Sequence, residues 1–341
     1  MAIALDAMGG DLAPSATIEG ALRARRERGI EVIAVGDEPR VRKELARLGA
    51  GPDELRIHHA SEAVEMHEHP GQALRRKKDS SLRVCFDLCE RGEARGMVSA
   101  GNSGAVLAGG LFVLGRLDGV DRPCICGSLP SLSGAGRAVL VDMGANINCK
   151  PHQLVQFALM GEVYARRVLG IARPRVGVVA NGEEEGKGTD LTRATAAALR
   201  KPEAGIQFAG NVEGKDVFSG EFDVIVTDGF TGNVLLKTAE GAVWAFGQLL
   251  KRQIKGSPLA SAGALLMRSA LENVKRHVDY EEIGGAALLG IHGTAIIAHG
   301  RSTAYAILNA LSSAEAFAAL ALDAELSAAA VRGAALFSEP P

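Results

Sequence analysis

A ten-residue pattern occurs twice in the chain, Val-[Ser/Thr]-x-Gly-x-[Ser/Thr]-Gly-x-Val-Leu. It spans Val98 to Leu107 as Val-Ser-Ala-Gly-Asn-Ser-Gly-Ala-Val-Leu and Val226 to Leu235 as Val-Thr-Asp-Gly-Phe-Thr-Gly-Asn-Val-Leu. Each copy leaves an apolar, β-branched run, turns on a glycine, offers a hydroxyl at a capping position and continues into an apolar segment with helical period. That is the local grammar of a strand, a tight loop and a helix N-terminus. Such a loop directs backbone N–H groups and the positive end of a helix dipole at whatever lies in front of it, which suits a phosphate or a developing oxyanion. Two of them imply a cleft with two anion-ready walls. A single ten-residue match is also what convergence on good turn chemistry produces, so duplication does not follow.

The rest of the chain alternates apolar runs with helical periods, the signature of an α/β protein built on a largely parallel sheet flanked by helices, Rossmann-like in class. Strands are expected at Ile3–Leu5, Ile30–Val35, Arg56–His59, Cys124–Gly127, Ala138–Asp142, Val176–Ala180, Ile206–Ala209, Phe222–Thr227, Ala286–Leu289 and Ala295–Ile297. Helices are expected at Pro14–Arg28, Pro39–Leu48, Gln72–Lys78, from Ser80 or Ser81 to near Gly92, Pro151–Leu169 and up to Arg200. Beyond the second copy, Val234–Ile254 and Leu259–His277 read as a helical pair broken at Gly256-Ser257-Pro258, and an Ala-rich helical tail starts near Thr303. The expected organisation is one catalytic α/β domain over 1–335 with a protruding helical arm over 241–280. A hydrophobic fraction of 47% is ample for the core of a 341-residue chain.

A net charge of −2 gives no general case for nucleic acid. Five cysteines without a CxxC pair, Cys85, Cys89, Cys124, Cys126 and Cys149, fit reduced thiols in a cytoplasmic protein rather than a zinc site. Met1 to Asp11 lacks the basic region of a signal peptide. The uncharged stretch Met97 to Gly115 contains too many Gly, Ser and Asn residues for a membrane span and is expected to be a buried loop and helix.

In a parallel sheet the loops after strand C-termini gather on one edge. Six loops here combine Gly with Asp, Asn, Ser or Lys: Asp6–Asp11, Ser99–Gly104, Asp142–Asn146, Asn181–Gly188, Gly210–Asp216 and Thr227–Asn233. Together they point to a polar crevice. None reads GxGxxG with a following acidic residue, Gly182 to Gly188 misses a Walker A, and Gly-Asn-Ser-Gly around Ser103 is not a GxSxG elbow. His58, His59, His67 and His69 lack metal-ligand spacing, so no metal is expected. Lys187, between Gly186 and Gly188, can hold phosphate as a point charge or protonate a leaving thiolate, or simply offset Glu183, Glu184 and Glu185. Arg75-Arg76-Lys77-Lys78 fits a solvated helix face, a dock for an acidic carrier or a phosphate site. Lys251, Arg252, Lys255, Arg268, Lys275 and Arg276 surround the apolar stretch Pro258–Met267, which contains Leu265 and Leu266 and suits anionic lipid, an acidic protein or a dimer arm.

At these residues the sequence resembles the bacterial phosphate acyltransferases of phospholipid synthesis. The resemblance rests on Asp6-Ala7-Met8-Gly9-Gly10-Asp11, Arg75–Ser81, Ser99–Ala105, Asp142-Met143-Gly144-Ala145-Asn146, Gly210–Glu213, Thr227–Thr238 and Gly284-Gly285-Ala286, in order over nearly the whole chain. One departure is Asn181-Gly182, where the family commonly has Asn-x-Gly. The resemblance implies a fold related to the phosphate acetyl- and butyryltransferases and to isocitrate-dehydrogenase-like proteins. It also implies a cytoplasmic homodimer peripherally associated with the membrane, needing no cofactor, that moves a fatty acyl group from acyl carrier protein to inorganic phosphate. On that footing Asn102, Ser103 and Gly104 bind phosphate, Thr231, Gly232 and Asn233 face the oxyanion, and Lys187 neutralises charge or protonates the thiolate. The two loops can exchange tasks. Asp228 joins the catalytic set, and Asp6, Gly9, Gly10, Asn146 and Gly229 the substrate-binding set. Arg75, Arg76, Lys251, Arg252, Leu265, Leu266 and Arg268 would contact carrier or membrane. The alternatives are a short-chain enzyme using a coenzyme A thioester, an NAD-dependent decarboxylating dehydrogenase, and a non-catalytic scaffold.

Overall fold

A computed structural model describes residues 1–278 and 280–337. Residue 279 of the anticipated arm lies outside the described residues. The strands are β1 (Ala2–Asp6), β2 (Val32–Gly36), β3 (Arg56–His59), β4 (Ala94–Ser99), β5 (Cys124–Pro130), β6 (Arg137–Val141), β7 (Arg175–Val179), β8 (Gln207–Val212), β9 (Val224–Val226), β10 (Ala286–Leu289) and β11 (Ala295–Ile297). They form one eleven-stranded sheet in the order β3-β2-β1-β4-β11-β10-β5-β6-β9-β7-β8. The helices are α1 (Ser15–Arg28), α2 (Glu38–Arg47), α3 (Pro70–Arg76), α4 (Ser81–Glu90), α5 (Ser103–Gly109), α6 (Pro151–Arg167), α7 (Asp190–Leu199), α8 (Gly229–Lys255), α9 (Pro258–Leu266), α10 (Arg268–Val278), α11 (Ala304–Leu320) and α12 (Asp323–Ala335).

The sheet is largely parallel, as expected, but it reverses in the middle. β10 runs antiparallel to both β11 and β5, and β5 antiparallel to β6. The outer strands on each side pair in parallel. The half that ends in β6, β9, β7 and β8 therefore points opposite to the half that holds β1 and β4. This corrects the expectation that all six loops share one edge. Asp6–Asp11 and Ser99–Gly104 leave one half-sheet, and Asp142–Asn146, Asn181–Gly188, Gly210–Asp216 and Thr227–Asn233 leave the other.

The register keeps the two sets close. One row of paired residues runs Val98, Ile296, Ala287, Cys126, Val141, Val226, Val178 across both halves. Ser99 follows Val98, Asp142 follows Val141 and Thr227 follows Val226, so both halves release their loops from the middle of the sheet. All seven residues of that row bury on one face, with side chains of α1, α6, α11 and α12. Ala4, Ile33, Met97 and Ile125 point to the other, with those of α4 and α5. This is the period-2 alternation of strands covered on both sides.

Three helical expectations change in detail. Met97–Gly115 is β4 running through the loop into α5 and a π turn over Gly110–Leu114. Leu259–His277 is two helices, because Met267 leaves helical geometry (φ −91°, ψ 9°). The Ala-rich tail breaks at Ala321, which takes a left-handed conformation (φ 47°), so α11 and α12 both fold back onto the body.

Candidate active site

The two copies of the pattern build different helix starts. In the first, Asn102 is the N-cap of α5 and its Oδ1 accepts the Ala105 N–H at 3.1 Å. In the second, Asp228 caps α8, two pattern positions earlier, and its Oδ1 accepts the Thr231 N–H at 2.9 Å. The caps are thus an amide and a carboxylate, not the hydroxyls anticipated. Ser103 stands at the first helical position, whereas Thr231 sits one turn in and returns its Oγ1 proton to Asp228 Oδ2 at 2.8 Å. The likeness is one of turn chemistry.

Both copies nevertheless reach one cavity of about 270 Å³. Ser103 borders it from the first half, and Met143, Gly144 and Asn233 from the second. Gly284, Gly285 and Ala286 at the start of β10 and His299 beyond β11 complete the wall. The expected two-sided cleft exists, although its walls are contributed differently from expectation. The N–H groups of Thr231 and Gly232 are spent on Asp228, which leaves side chains, Asn233 among them, as the donors of the second wall.

Two buried aspartates hold these walls. Asp6 accepts the hydroxyl protons of Ser81 (2.6 Å) and Ser99 (2.7 Å) and the Met8 N–H (3.3 Å). Asp142 is fully buried and accepts four backbone N–H groups, those of Ile125, Gly144, Ala145 and Asn146, plus the Asn146 side-chain amide. Burial pushes both carboxyls above the ordinary aspartate range, against the pull of these donors. Glycines close the gaps. A Cβ on Gly232 would lie 1.9 Å from the Asp142 carbonyl oxygen, and one on Gly229 would lie 2.8 Å from the Asn146 nitrogen. A Cβ on Gly9 would strike Asp6 Oδ2 at 2.5 Å. Asp6, Gly9, Gly10, Asn146, Gly229 and Gly232 are therefore the framework behind the cleft rather than its lining.

The remaining anticipated residues divide in the same way. Asn102 donates to the Met66 and Glu68 carbonyls, both at 3.1 Å, so its side chain ties the His-rich loop to α5. Gly104 packs on Pro70. Lys187 is exposed and does not line the cavity; its stem lies over Gly182. Asn181 closes that loop by accepting the Gly188 N–H at 2.7 Å. Arg75 is exposed and stacks over Phe112, with Arg76 exposed beside it. Lys251, Arg252, Leu265, Leu266 and Arg268 lie exposed on the arm, Arg268 in an ion pair with Glu272.

Lys237, Glu240 and His299 line the cleft and were not anticipated. Lys237 Nζ contacts Glu240 Oε2 at 2.8 Å and His299 Nε2 at 3.2 Å. Burial, then the Lys237 ammonium, lowers the His299 pKa and favours neutral imidazole. Lys237 and Glu240 were legible as an i, i+3 pair one helical turn after Asn233, whereas His299 carries no spacing signal of its own. Burial also pushes the thiols of Cys89 and Cys149 up to about 12, which disfavours a thiolate nucleophile at either. Glu183, Glu213 and Asp216 bring oxygens within 4.8 Å of one another, but Lys215 already bridges Glu183 and Glu213.

Residues 1–323 match the family described as fatty acid synthesis protein. The chain belongs to that family. It is 57% identical over 310 residues to a phosphate acyltransferase of Anaeromyxobacter sp. (strain Fw109-5), covering 91% of this chain and 85% of the relative. It is 53% identical to a phosphate acyltransferase of Myxococcus xanthus (strain DK1622), covering 100% and 97%. In fold it resembles a phosphotransacetylase from Streptococcus pyogenes, with a TM-score of 0.63 at 17% identity, covering 93% of this chain and 94% of that one. A branched-chain phosphotransacylase from Enterococcus faecalis V583 gives 0.58 at 12% identity, covering 93% and 99%. Family membership makes the chain an acyltransferase that works with phosphate, and neither the dehydrogenase nor the scaffold alternative has comparable support.

Proposed function

We propose that this enzyme transfers a fatty acyl group from the thioester of acyl carrier protein to inorganic phosphate, giving acyl phosphate and free thiol. The observation behind this reading is the single cleft where the start of α5 meets Asn233 and Gly144. Phosphate held before Ser103 at the head of α5 sits at a helix N-terminus and, already anionic, needs no strong base. One phosphate oxygen attacks the thioester carbonyl. The tetrahedral oxyanion receives a hydrogen bond from the Asn233 amide. Collapse breaks the C–S bond, and the thiolate takes a proton, for which we propose Lys187, exposed on the loop after β7 and outside the cavity lining, or solvent. The test is to incubate the protein with acyl carrier protein thioester and phosphate and trap the product with hydroxylamine. Acyl hydroxamate and phosphate-dependent thiol release are expected; absence of both sinks the reading, and equal use of a short coenzyme A thioester would transfer it to the alternative donor.

Because Lys187 is exposed, Lys187→Ala is expected to keep its melting temperature within about 1 °C while turnover falls about a hundredfold, the lower end for loss of one proton-transfer group. Turnover within twofold of wild type removes Lys187 from the mechanism.

The same reading places the protein at a membrane surface as a homodimer. No single helix among the described residues is long and apolar enough to cross a bilayer. The arm instead exposes Leu259 (84%), Leu265 (71%) and Leu266 (88%) at its tip, with Lys251, Arg252 and Arg268 nearby in sequence. Apolar side chains flanked by basic ones suit the boundary of an anionic bilayer. Of the 27 residues of α8 only Gly229 and Gly232 are buried, and Phe246, Leu249 and Leu250, at i, i+3 and i+4, stand exposed on one face, away from Trp244. An apolar face this long suits the same face of a second copy. The double change Leu265→Asp and Leu266→Asp is expected to abolish co-sedimentation with phosphatidylglycerol vesicles while leaving thiol release in vesicle-free buffer unchanged. Undiminished co-sedimentation excludes the tip as the contact.

A further inference from the structure

Beside the cleft lies a second, larger hollow of about 760 Å³. Leu236, Lys237, Glu240, Ile283 and His299 border both spaces, so the hollow opens directly from the place where the thioester carbonyl would sit. Its walls are mainly apolar. Leu129 and Pro130 end β5 on one side, Phe218 leans in from the turn after β8, and Val243 and Trp244 of α8 and Val278 of α10 form the rest. Charged groups, Lys275 and Arg301 among them, also border it. Phe218 (37%), Val243 (44%) and Trp244 (68%) remain exposed, an apolar surface that the described residues leave uncovered.

We propose that this groove, between the root of the arm and the end of β5, binds the hydrocarbon tail of the acyl donor. The inference rests on the acyl-transfer reading above and adds where the chain goes and what sets its length. Three observations support it. The groove is continuous with the cleft, it is lined by hydrocarbon, and its mouth carries the polar Lys237, Glu240 and His299 that suit a thioester head rather than a methyl terminus. A tail leaving the cleft along α8 covers Val243 and Trp244 and gains a transfer free energy that grows with each methylene, equivalent to about a fourfold gain in binding per group while the groove fills. The length at which that gain stops is fixed by how far the groove extends past Trp244. Ala239 lies on its α8 wall, so a large side chain there shortens it.

Trp244 is the only tryptophan in the chain, which gives a binding signal independent of turnover. A hexadecanoyl carrier-protein thioester brominated at mid-chain is expected to quench its fluorescence by at least half at saturation, without vesicles, and the unbrominated octanoyl thioester to leave it unchanged. Absence of quenching by the brominated donor at saturation overturns the proposal. In parallel, the ratio of kcat/KM for hexadecanoyl over octanoyl donor is measured by hydroxamate release. Ala239→Trp is expected to lower that ratio at least tenfold and Trp244→Ala at least threefold. A ratio within twofold of wild type in both variants overturns the groove as the tail site. Should Ala239→Trp fail to fold, the exposed Trp244 position still decides the outcome. Lack of hydroxamate from wild type at either chain length, with quenching intact, would instead overturn the acyl-transfer reading and leave the groove as a site for hydrocarbon.

Discussion

Asp142→Ala is expected to lower stability by about 3–5 kcal/mol and to reduce kcat/KM by at least a hundredfold. The carboxyl is the hub of the second wall. Its Oδ1 accepts the N–H groups of Ile125 (3.0 Å), Gly144 (3.1 Å) and Ala145 (3.0 Å), and its Oδ2 those of Asn146, from the backbone at 2.7 Å and from the side chain at 2.9 Å. Removing it strands several buried donors, each worth roughly 1–3 kcal/mol when left unpaired. Water entering the vacated space recovers part of that, hence a total below the sum. Activity falls further than stability because Gly229 and Gly232 are pressed against this turn. The Asp142 carbonyl oxygen sits where a Gly232 Cβ would be, and Gly229 donates to the Asn146 carbonyl at 2.7 Å. If the turn relaxes, the start of α8 moves and Asn233 moves with it. Asp142→Asn keeps the shape but points an amide at N–H donors, so it should retain less than half of the lost stability. Thermal melts and single-substrate kinetics on both variants check this, and a melting temperature within about 1 °C of wild type for the alanine variant would show that the turn holds itself.

The α/β class and most strand positions were legible because each rests on local signals. Apolar alternation at Ile3–Leu5 and Ala138–Asp142 and the proline that opens α6 need no knowledge of neighbours. The reversal in the middle of the sheet was not, since it depends on how β10 and β5 pair across more than 150 residues of sequence. The doubled pattern marks two loops that reach one cavity, but the atoms that cap their helices differ from those anticipated. Hydroxyl and glycine residues recur at the same spacing, yet Asn102 and Asp228 cap from different pattern positions, with Pro70 packed beside Gly104 on one side and Asp142 beside Gly232 on the other. Asp6 and Asn146 were recognisable as special without their task being visible. A carboxylate in a glycine-rich loop reads the same whether it faces a ligand or, as here, ties Ser81 and Ser99 across 75 and 93 residues. His299 was missed for the complementary reason. It lies after a three-residue strand and is brought to Lys237 only by the fold.

Asn233→Ala is expected to cut kcat by about 10²–10³, the range for losing one oxyanion donor, equivalent to about 2.7–4 kcal/mol of transition-state stabilisation. The position separates catalysis from folding unusually well. Asn233 lies one turn inside α8, is exposed, and borders the cleft opposite Ser103. Gly144, at φ +143°, brings its bare Cα toward the Asn233 side chain; a Cβ there would stand 3.7 Å from the Asn233 Cβ. Alanine is the better helix former, so the substitution should leave the melting temperature unchanged or slightly raised. The KM for phosphate should stay within threefold, because phosphate is assigned to the opposite wall. Asn233→Asp tests the sign of the effect: it is nearly isosteric but sets a negative charge before the developing oxyanion, and its kcat should fall below that of the alanine variant. If the two walls exchange tasks, Asn233→Ala raises the KM for phosphate tenfold or more and spares kcat, and Ser103→Ala then produces the loss in kcat. A kcat within threefold of wild type together with an unchanged KM would remove Asn233 from the chemistry under either arrangement.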